Sequence, residues 1–197
     1  MLLQEFVRGM RGLSPTEVDA ILADGMLCQA LLNPPVLSPW EAEEQLSDVN
    51  LDRHRHDHAA YGASSPYIST SAGTYREGDL TTKFNQPMFA LETALQFAVL
   101  LHRTDGWVFY GYHFILGRPA GRHAEFAEEV RDLHQHPQWS QFRGEGEIAA
   151  AVRIPSRRLR QAELYTYAHV TQAIRSGGPL VPAAVAKMPT TSRRRPY

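Results

Sequence analysis

The stretch SSPYISTSAG, Ser64 to Gly73, places three hydroxyl residues in a row directly after an aromatic and a β-branched residue. The part PYISTS is typical of a β-strand of about six residues. A strand that ends on Ser69, Thr70 and Ser71 has two interpretations. The hydroxyls form either a polar strand end before the turn AGTYREG, which is the commoner outcome for such a run alone, or a scaffold that holds a nucleotide. The rest of the chain decides between them.

Composition describes an ordinary globular chain of 197 residues, 43% hydrophobic and 21% charged, which fits one domain or one domain with extensions. The net charge of −1 gives no global field that attracts nucleic acid or an anionic membrane, although it leaves a local basic patch open. The one cysteine, Cys28, cannot form an intramolecular disulfide. Neither a signal peptide nor a long apolar run is seen. We therefore expect no membrane partner and a cytoplasmic protein, or one delivered by a non-classical route.

Signals upstream of the opening stretch predict a strand followed by a short helix. The segment FVRGM predicts a strand around Phe6–Gly9 that carries Arg8. In SPTE, Ser14 has the position of an N-cap and Glu17 that of its capping-box partner. Gly25 is a typical helix stop.

Further helices and strands are predicted along the rest of the chain. The predicted helices are Trp40 to Leu46 after an N-cap at Ser38, the largely buried PMFALETALQFAVLLHR, and AEFAEEVRDLHQH. GWVFYGYHFIL predicts a core strand, GEIAAAVRIP a strand or strand pair, and AELYTYAHVTQAI a strand or a helix. The end VPAAVAKMPTTSRRRPY is typical of a flexible extension. We expect an α+β domain over residues 1–175 and a flexible tail over 176–197.

Two carboxylates in GEGEIAA are the clearest candidates for chemistry. On a strand, Glu145 and Glu147 lie on the same side, and their repulsion raises one pKa, so the pair can divide acid–base or charge-stabilising work. For an isolated pair, a solvated strand edge is the commoner outcome. The apolar run from Ile148 onward instead favours a position at the mouth of a packed sheet.

Polar residues on the two predicted strands are further candidates. Arg8, held by packing, can present its planar fork to a phosphate or carboxylate; the alternative is a surface arginine whose head reaches solvent. Ser69 shares a strand face with Ser71 and can orient a carboxylate. Thr70 is expected to point into the opposite layer.

Three alternating histidines in HRHDH, His54, His56 and His58, form a possible zinc site if they lie on one strand face. Ligands along one line suit tetrahedral coordination poorly, so no metal is predicted. A solvated loop is expected instead, with one histidine near the active site. Phosphate-loop and dinucleotide-fold glycine fingerprints are not seen.

The order of these motifs carries a family resemblance. An aromatic-x-Arg strand, then Ser-Thr-Ser after PYI, then Glu-x-Glu resembles the Arg/Ser-Thr-Ser/Glu-x-Glu class of mono-ADP-ribosyltransferases, which includes the cholera and heat-labile enterotoxin A subunits. EGEIAAAVRIPSRRL is similar to the group's Glu-x-Glu, alanine and Ile-Pro sequence. VRGMRGLSPTEVDAILADGM resembles its opening of arginine strand, proline, helix and glycine stop. The resemblance extends from Phe6 to about Leu159.

The resemblance implies a split β-sandwich with NAD, the substrate, bound in a cleft between two small sheets, and no metal. Arg8 and Gly9 would bind NAD, Arg8 through its phosphates while also holding the cleft together. Ser69 would position Glu147 by a hydrogen bond. Thr70 and Ser71 would support the cleft.

The remaining implied roles concern the reaction. Glu147 would stabilise the oxocarbenium-like ribosyl group as nicotinamide leaves, and Glu145 would bind or deprotonate the acceptor. The preceding loop would recognise the target through Trp139, Gln141 and Phe142. Glutamate at the first position of Glu-x-Glu favours a protein arginine as acceptor.

Other functions stay open in the sequence. They are NAD hydrolysis, transfer to nucleic acid (guanine) or to a small molecule, a silent fold that only binds a partner, and an unrelated α+β binding domain. A toxin or effector is the usual context of the group, and a monomer fits the sequence. Two departures from the group stand out. Met10 occupies a position that is acidic in the enterotoxins, and their histidine before Ser-Thr-Ser has no match at the same spacing. His56 or His58 would be its substitute.

Overall fold

The computed structural model describes residues 2–72, 87–115, 130–132 and 147–188. Their strands are β1 Leu2–Arg11, β2 Met26–Leu27, β3 Tyr67–Ala72, β4 Gly106–Ile115, β5 Val130–Asp132, β6 Glu147–Ala151, β7 Arg153–Ile154, β8 Leu159–Tyr165 and β9 Ala184–Lys187. Their α-helices are α1 Pro15–Asp24, α2 Pro39–Glu44, α3 Asp48–His56, α4 His58–Tyr61, α5 Pro87–Leu95 and α6 Tyr167–Ser176. The α+β class is confirmed.

The described strands form two sheets in which every pair is antiparallel. Seven strands follow the order β5-β6-β3-β1-β4-β8-β9, and β2 pairs with β7 in a small ribbon. The central strand β1 pairs with β4 over all ten of its residues. Within the part of the chain that the structure describes, its other edge pairs with β3 at two positions, Phe6 opposite Ala72 and Val7 opposite Ser71. The sheet separates beyond Val7, and we call the place where Arg8 on β1 faces Ser69 on β3 the seam.

Packing on the sheet explains why these segments adopt their structure. On one face, α1 covers a core that contains Phe6, Ile68 and Phe109. On the other face, α5 packs against Val7 and Val108. The helix after Pro87 is largely buried as predicted and continues as a π-helical turn over Gln96–Leu100.

Capping chemistry confirms the predicted helix starts. Ser14 accepts from the Glu17 amide while Glu17 Oε2 accepts from the Ser14 amide at 2.8 Å, so α1 begins with a full capping box. Gly25 ends this helix at φ 99°. Ser38 starts α2 in the same way, but the helix ends at Glu44 instead of Leu46.

Three local predictions need correction. HRHDH lies mostly in α3, because Ser47 caps a helix there and Leu51 is fully buried on its inner side; a strand or a solvated loop is wrong. Val130–Asp132 within AEFAEEVRDLHQH is a strand, because it pairs with the small-residue strand β6. Ala184–Lys187, inside the predicted flexible tail, is an edge strand paired with β8.

Two open alternatives are resolved. AELYTYAHVTQAI contains both elements, because Thr166 ends β8 and caps α6 through the His169 amide. GEIAAAVRIP gives the strand pair β6 and β7, which is broken at Val152 with φ 57°. The domain boundary near residue 175 stays a prediction.

Candidate active site

Arg8 lies half-buried on β1 and bridges the seam. Its Nη1 donates a hydrogen bond to the main-chain oxygen of Ser69 on β3. Since β1 and β3 have stopped pairing at this point, the guanidinium replaces a sheet hydrogen bond. This hydrogen bond links β1 to β3, while a role of Arg8 in a substrate cleft stays a prediction.

Ser69 is held by a buried chain of hydrogen bonds from α3. His54 is 5% exposed, and its Nε2 lies 2.7 Å from Ser69 Oγ. Its Nδ1 lies 2.7 Å from Ser65 Oγ, which also accepts from the Tyr67 amide at 3.1 Å. Ser65 is fully buried, so its hydroxyl proton needs an acceptor, and Nδ1 provides it. In the neutral ring, Nε2–H then donates to Ser69, whose own hydroxyl proton remains available to an acceptor in the seam.

The register places Glu147 beside these hydroxyls. Glu147 is the first residue of β6 and stands opposite Ser71 on β3, while Ser69 stands opposite Ala149. Residues directly opposite in an antiparallel pair lie about 4.5–5.5 Å apart at Cβ, and the diagonal neighbour lies about 7–8 Å away. The register positions of Glu147, Ser69 and Ser71 are therefore neighbours at the end of β6.

Thr70 points into the opposite layer, as predicted. It is buried, and its Oγ1 donates to the main-chain oxygen of Ile148 at 2.7 Å. The same Oγ1 lies 3.1 Å from His113 Nε2. Because its single proton is used on Ile148, Thr70 accepts from His113 Nε2–H. This chain ties β4, β3 and the start of β6 together, one residue from Glu147.

His113 is a buried neutral histidine. Its ring stacks on Phe6 with centroids 4.2 Å apart. Burial, and secondarily the charge of Arg158, lowers the pKa of His113 to about 3. A neutral ring agrees with its role as a donor to Thr70.

This pKa predicts acid sensitivity. In the unfolded chain His113 titrates near 6.5, and in the folded chain near 3. Between these values the unfolded chain binds a proton that the folded chain does not, so the free energy of unfolding falls as pH falls, by up to about 1.4 kcal/mol per pH unit. His113→Gln, which keeps a donor near Thr70, should lose this contribution. Urea titrations across the window would check it; identical pH dependence of parent and variant would contradict it.

Gly9 has a packing role. A Cβ at this position would overlap the carbonyl oxygen of Ala94 on α5, so the strand passes the helix closer than any side chain permits. This contact explains the glycine by itself. Cofactor binding by Gly9 stays a prediction.

Several predicted site residues have no described geometry. Glu145, Trp139, Gln141 and Phe142 lie outside the described residues. His56 is exposed on α3, with Nε2 3.5 Å from Asp52 Oδ1, while the histidine that contacts Ser69 is His54. A role of His56 or His58 as the histidine of the resembled group stays a prediction.

Sequence reasoning missed two residues of this arrangement. His54 was one of three equivalent histidines, and only the spacing of Leu51 and His54 after the cap at Ser47 indicates that they share the buried side of a helix. His113 lies within the apolar strand GWVFYGYHFIL. The alternation of side chains along this strand predicts that His113 faces inward, but it does not predict its hydrogen-bond partner.

Two searches of the described residues bear on other site types. No group of three His, Cys, Asp or Glu side chains among residues 2–72, 87–115, 130–132 and 147–188 is placed to hold a metal ion. In the same ranges, no helix is long and apolar enough to cross a bilayer.

Comparison with known proteins finds similarity in solved structures alone. No protein-family model and no curated protein matches the chain. EcPltA is 15% identical with a TM-score of 0.46, over 93% of this chain and 84% of that one. A mutant of E. coli heat-labile enterotoxin is 11% identical with a TM-score of 0.43, over 96% and 78%. Nicked CARDS toxin is 14% identical with a TM-score of 0.37, over 83% and 25%. These values assign no residue a role.

Proposed function

We propose that this chain is an NAD-dependent mono-ADP-ribosyltransferase that transfers ADP-ribose to a protein arginine and releases nicotinamide. The observation that carries the proposal is the seam, where Arg8, the Ser69 hydroxyl and the register position of Glu147 come together. These are the groups that such a reaction needs. A role as a toxin or effector follows the usual context of the resembled group.

Arg8 would hold the pyrophosphate of NAD. A guanidinium offers five N–H donors in a planar fork that matches phosphate oxygens. The bond to Ser69 O already fixes the orientation of the fork between the two halves of the sheet. Little ordering of the side chain is then needed when the substrate binds.

Glu147 would stabilise the transition state. As the bond between ribose C1′ and the nicotinamide nitrogen breaks, its electron pair leaves with neutral nicotinamide and positive charge develops on the ribose. A fixed carboxylate next to this charge lowers the barrier by preorganised electrostatics. Ser69, which accepts from His54, would donate its hydroxyl proton to Glu147 and hold it in place.

Glu145 would serve the acceptor. An arginine guanidinium nitrogen forms the new bond to C1′ and loses one proton, and a carboxylate two residues before Glu147 on an extended chain faces the same side. The proton would pass to Glu145, which completes the proton balance. NAD hydrolysis follows with water in place of arginine, and the proton that water loses passes to solvent, so this reaction does not need Glu145.

The purified chain tests this proposal directly. We expect nicotinamide release from NAD and, with agmatine as a small arginine-like acceptor, formation of ADP-ribosyl-agmatine. Release without agmatine modification would identify a glycohydrolase. Neither product, together with no thermal shift by NAD, would overturn the proposal.

Removal of His54 should lower turnover selectively. His54→Ala leaves Ser69 without its donor, and we expect a roughly tenfold lower kcat for nicotinamide release, equivalent to one hydrogen bond of about 1.4 kcal/mol. KM for NAD should change little, and His54→Gln, which retains a donor, should recover part of the loss. His56→Ala on the exposed side of the same helix is the control. Equal effects of the two alanine variants would contradict a positioning role for His54.

A further inference from the structure

Residues 29–52 carry charge of one sign, and the exposed Arg53 and His56 border this segment at the end of α3, where His56 Nε2 lies 3.5 Å from Asp52 Oδ1. This segment contains five carboxylates and no lysine, arginine or histidine, although the whole chain has 20 basic and 21 acidic residues. We call it the acidic face; its carboxylates are Glu41, Glu43, Glu44, Asp48 and Asp52. Such local concentration creates a field that attracts a basic partner.

Large apolar side chains are exposed on the same face. Trp40 and Val49 are each 65% exposed, Val36 is 62% and Leu32 is 52% exposed. They make up four of the ten exposed large hydrophobic residues among those described. In α2, Ala42 is the buried residue, so this helix turns most of its side chains to solvent. Apolar side chains set among charges of one sign are typical of a protein-binding surface.

The acidic face is ordered before any partner binds. Trp40 Nε1 donates to Glu44 Oε1 at 3.0 Å, which fixes the indole. The Tyr67 hydroxyl on β3 accepts from the Ser47 amide and donates to the Ser47 carbonyl oxygen, both at 3.0 Å. These contacts attach the start of α3 to the strand that carries Ser69. A preorganised aromatic side chain binds with a smaller loss of entropy.

The helix α3 joins this face to the seam. Asp48, Val49 and Asp52 are exposed on it together with Arg53 and His56, while Leu51 and His54 are buried. His54 reaches Ser69 Oγ at 2.7 Å. A molecule that covers the outer side of α3 therefore lies one helix diameter, about 10 Å, from the candidate site.

We propose that the acidic face docks the acceptor protein, through a basic patch on that protein and an apolar pocket that takes Trp40. The inference rests on the proposed function in one respect, that the occupant is the acceptor. Charge complementarity selects this occupant. A protein whose modified arginine lies on an arginine-rich surface brings positive charge, which Glu41, Glu43, Glu44 and Asp48 attract. Small acceptors, which do not reach the face, bypass it.

Two acceptors and two sets of variants test the inference. The probes are a core histone, as a basic protein, and agmatine. Trp40→Ala and the triple variant Glu43→Gln/Glu44→Gln/Asp48→Asn should each weaken histone binding, measured without NAD, by tenfold or more, as roughly expected for a central aromatic anchor or a set of complementary charges. KM for histone should rise in parallel, while agmatine modification stays at the parent rate. Histone binding should also weaken with salt.

Matched controls lie on other surfaces. Phe97→Ala removes an exposed aromatic side chain, and Asp19→Asn/Asp24→Asn/Glu92→Gln removes three exposed carboxylates elsewhere; both should bind histone like the parent. Failure of the parent to bind histone, unchanged binding in both acidic-face variants, or equal losses with histone and agmatine would each overturn the inference. Loss of binding in the variants, with no transfer by the parent to either acceptor, would support docking of a basic protein and count against the proposed function alone.

Discussion

Glu147→Gln is expected to reduce nicotinamide release from NAD by roughly 10²–10³-fold with no change in fold. The amide keeps the size of the carboxylate but removes the charge that would stabilise the developing cation. Glu147 is the first residue of β6 and stands opposite Ser71, and glutamine has nearly the same size and shape, so the substitution should leave packing unchanged. Initial rates of nicotinamide release and a circular dichroism melt would check both parts.

The neighbouring carboxylate is the matched control for this experiment. Glu145→Gln should lose transfer to agmatine and keep NAD hydrolysis. Hydrolysis uses water as the acceptor, so it has no guanidinium that a carboxylate must orient. Together the two variants separate cleavage of NAD from use of the acceptor. Both variants behaving like the parent would show that the site is elsewhere.

Arg8→Lys should have the second largest effect, a drop of roughly 10- to 100-fold in kcat/KM for NAD. Lysine keeps the positive charge but lacks the planar fork, so it cannot bond Ser69 O and a phosphate in the same geometry. Charged hydrogen bonds contribute about 1.5–3 kcal/mol, which corresponds to the expected factor. Steady-state kinetics with NAD as the varied substrate would measure it, and we expect most of the change in KM.

Arg11→Lys on the same strand controls for a general loss of arginine. Arg11 is exposed at the end of β1, away from the seam, and its replacement should leave kcat/KM at the parent value. If Arg8→Lys matched Arg11→Lys, the phosphate-binding role of Arg8 would be excluded.

Local signals in the sequence predict much of this fold. The capping box at Ser14, the N-cap at Ser38 and the strand around Arg8 depend on residues within one turn or one strand of each other, and all appear as expected. The strand β5 was missed for the opposite reason. Val130–Asp132 becomes a strand because it pairs with β6. Its own local sequence does not encode this distant partner, so a local pattern does not predict the strand.

The candidate site divides in the same way. Arg8, Ser69 and Glu147 are predicted from residue type and order along the chain, and their roles stay predictions. The contact between Arg8 and the main chain of Ser69 arises from strand pairing across distant parts of the sequence, which no local pattern encodes. His54 was hidden by its neighbours, because three alternating histidines suggested a strand, whereas a helix turns His54 inward and His56 outward.

The seam has a consequence for how the protein unfolds. Among the described residues, ten pairs join β1 to β4, whereas two pairs and the Arg8 guanidinium join the main chains of β1 and β3. Cooperative units in proteins follow such differences in local bonding. The half that contains β3 and β6 can therefore detach at a lower free energy than the half that contains β1, β4 and β8. Arg8 and the contact between Thr70 and His113 couple the two units. A ligand held by Arg8 across the seam would merge them into one.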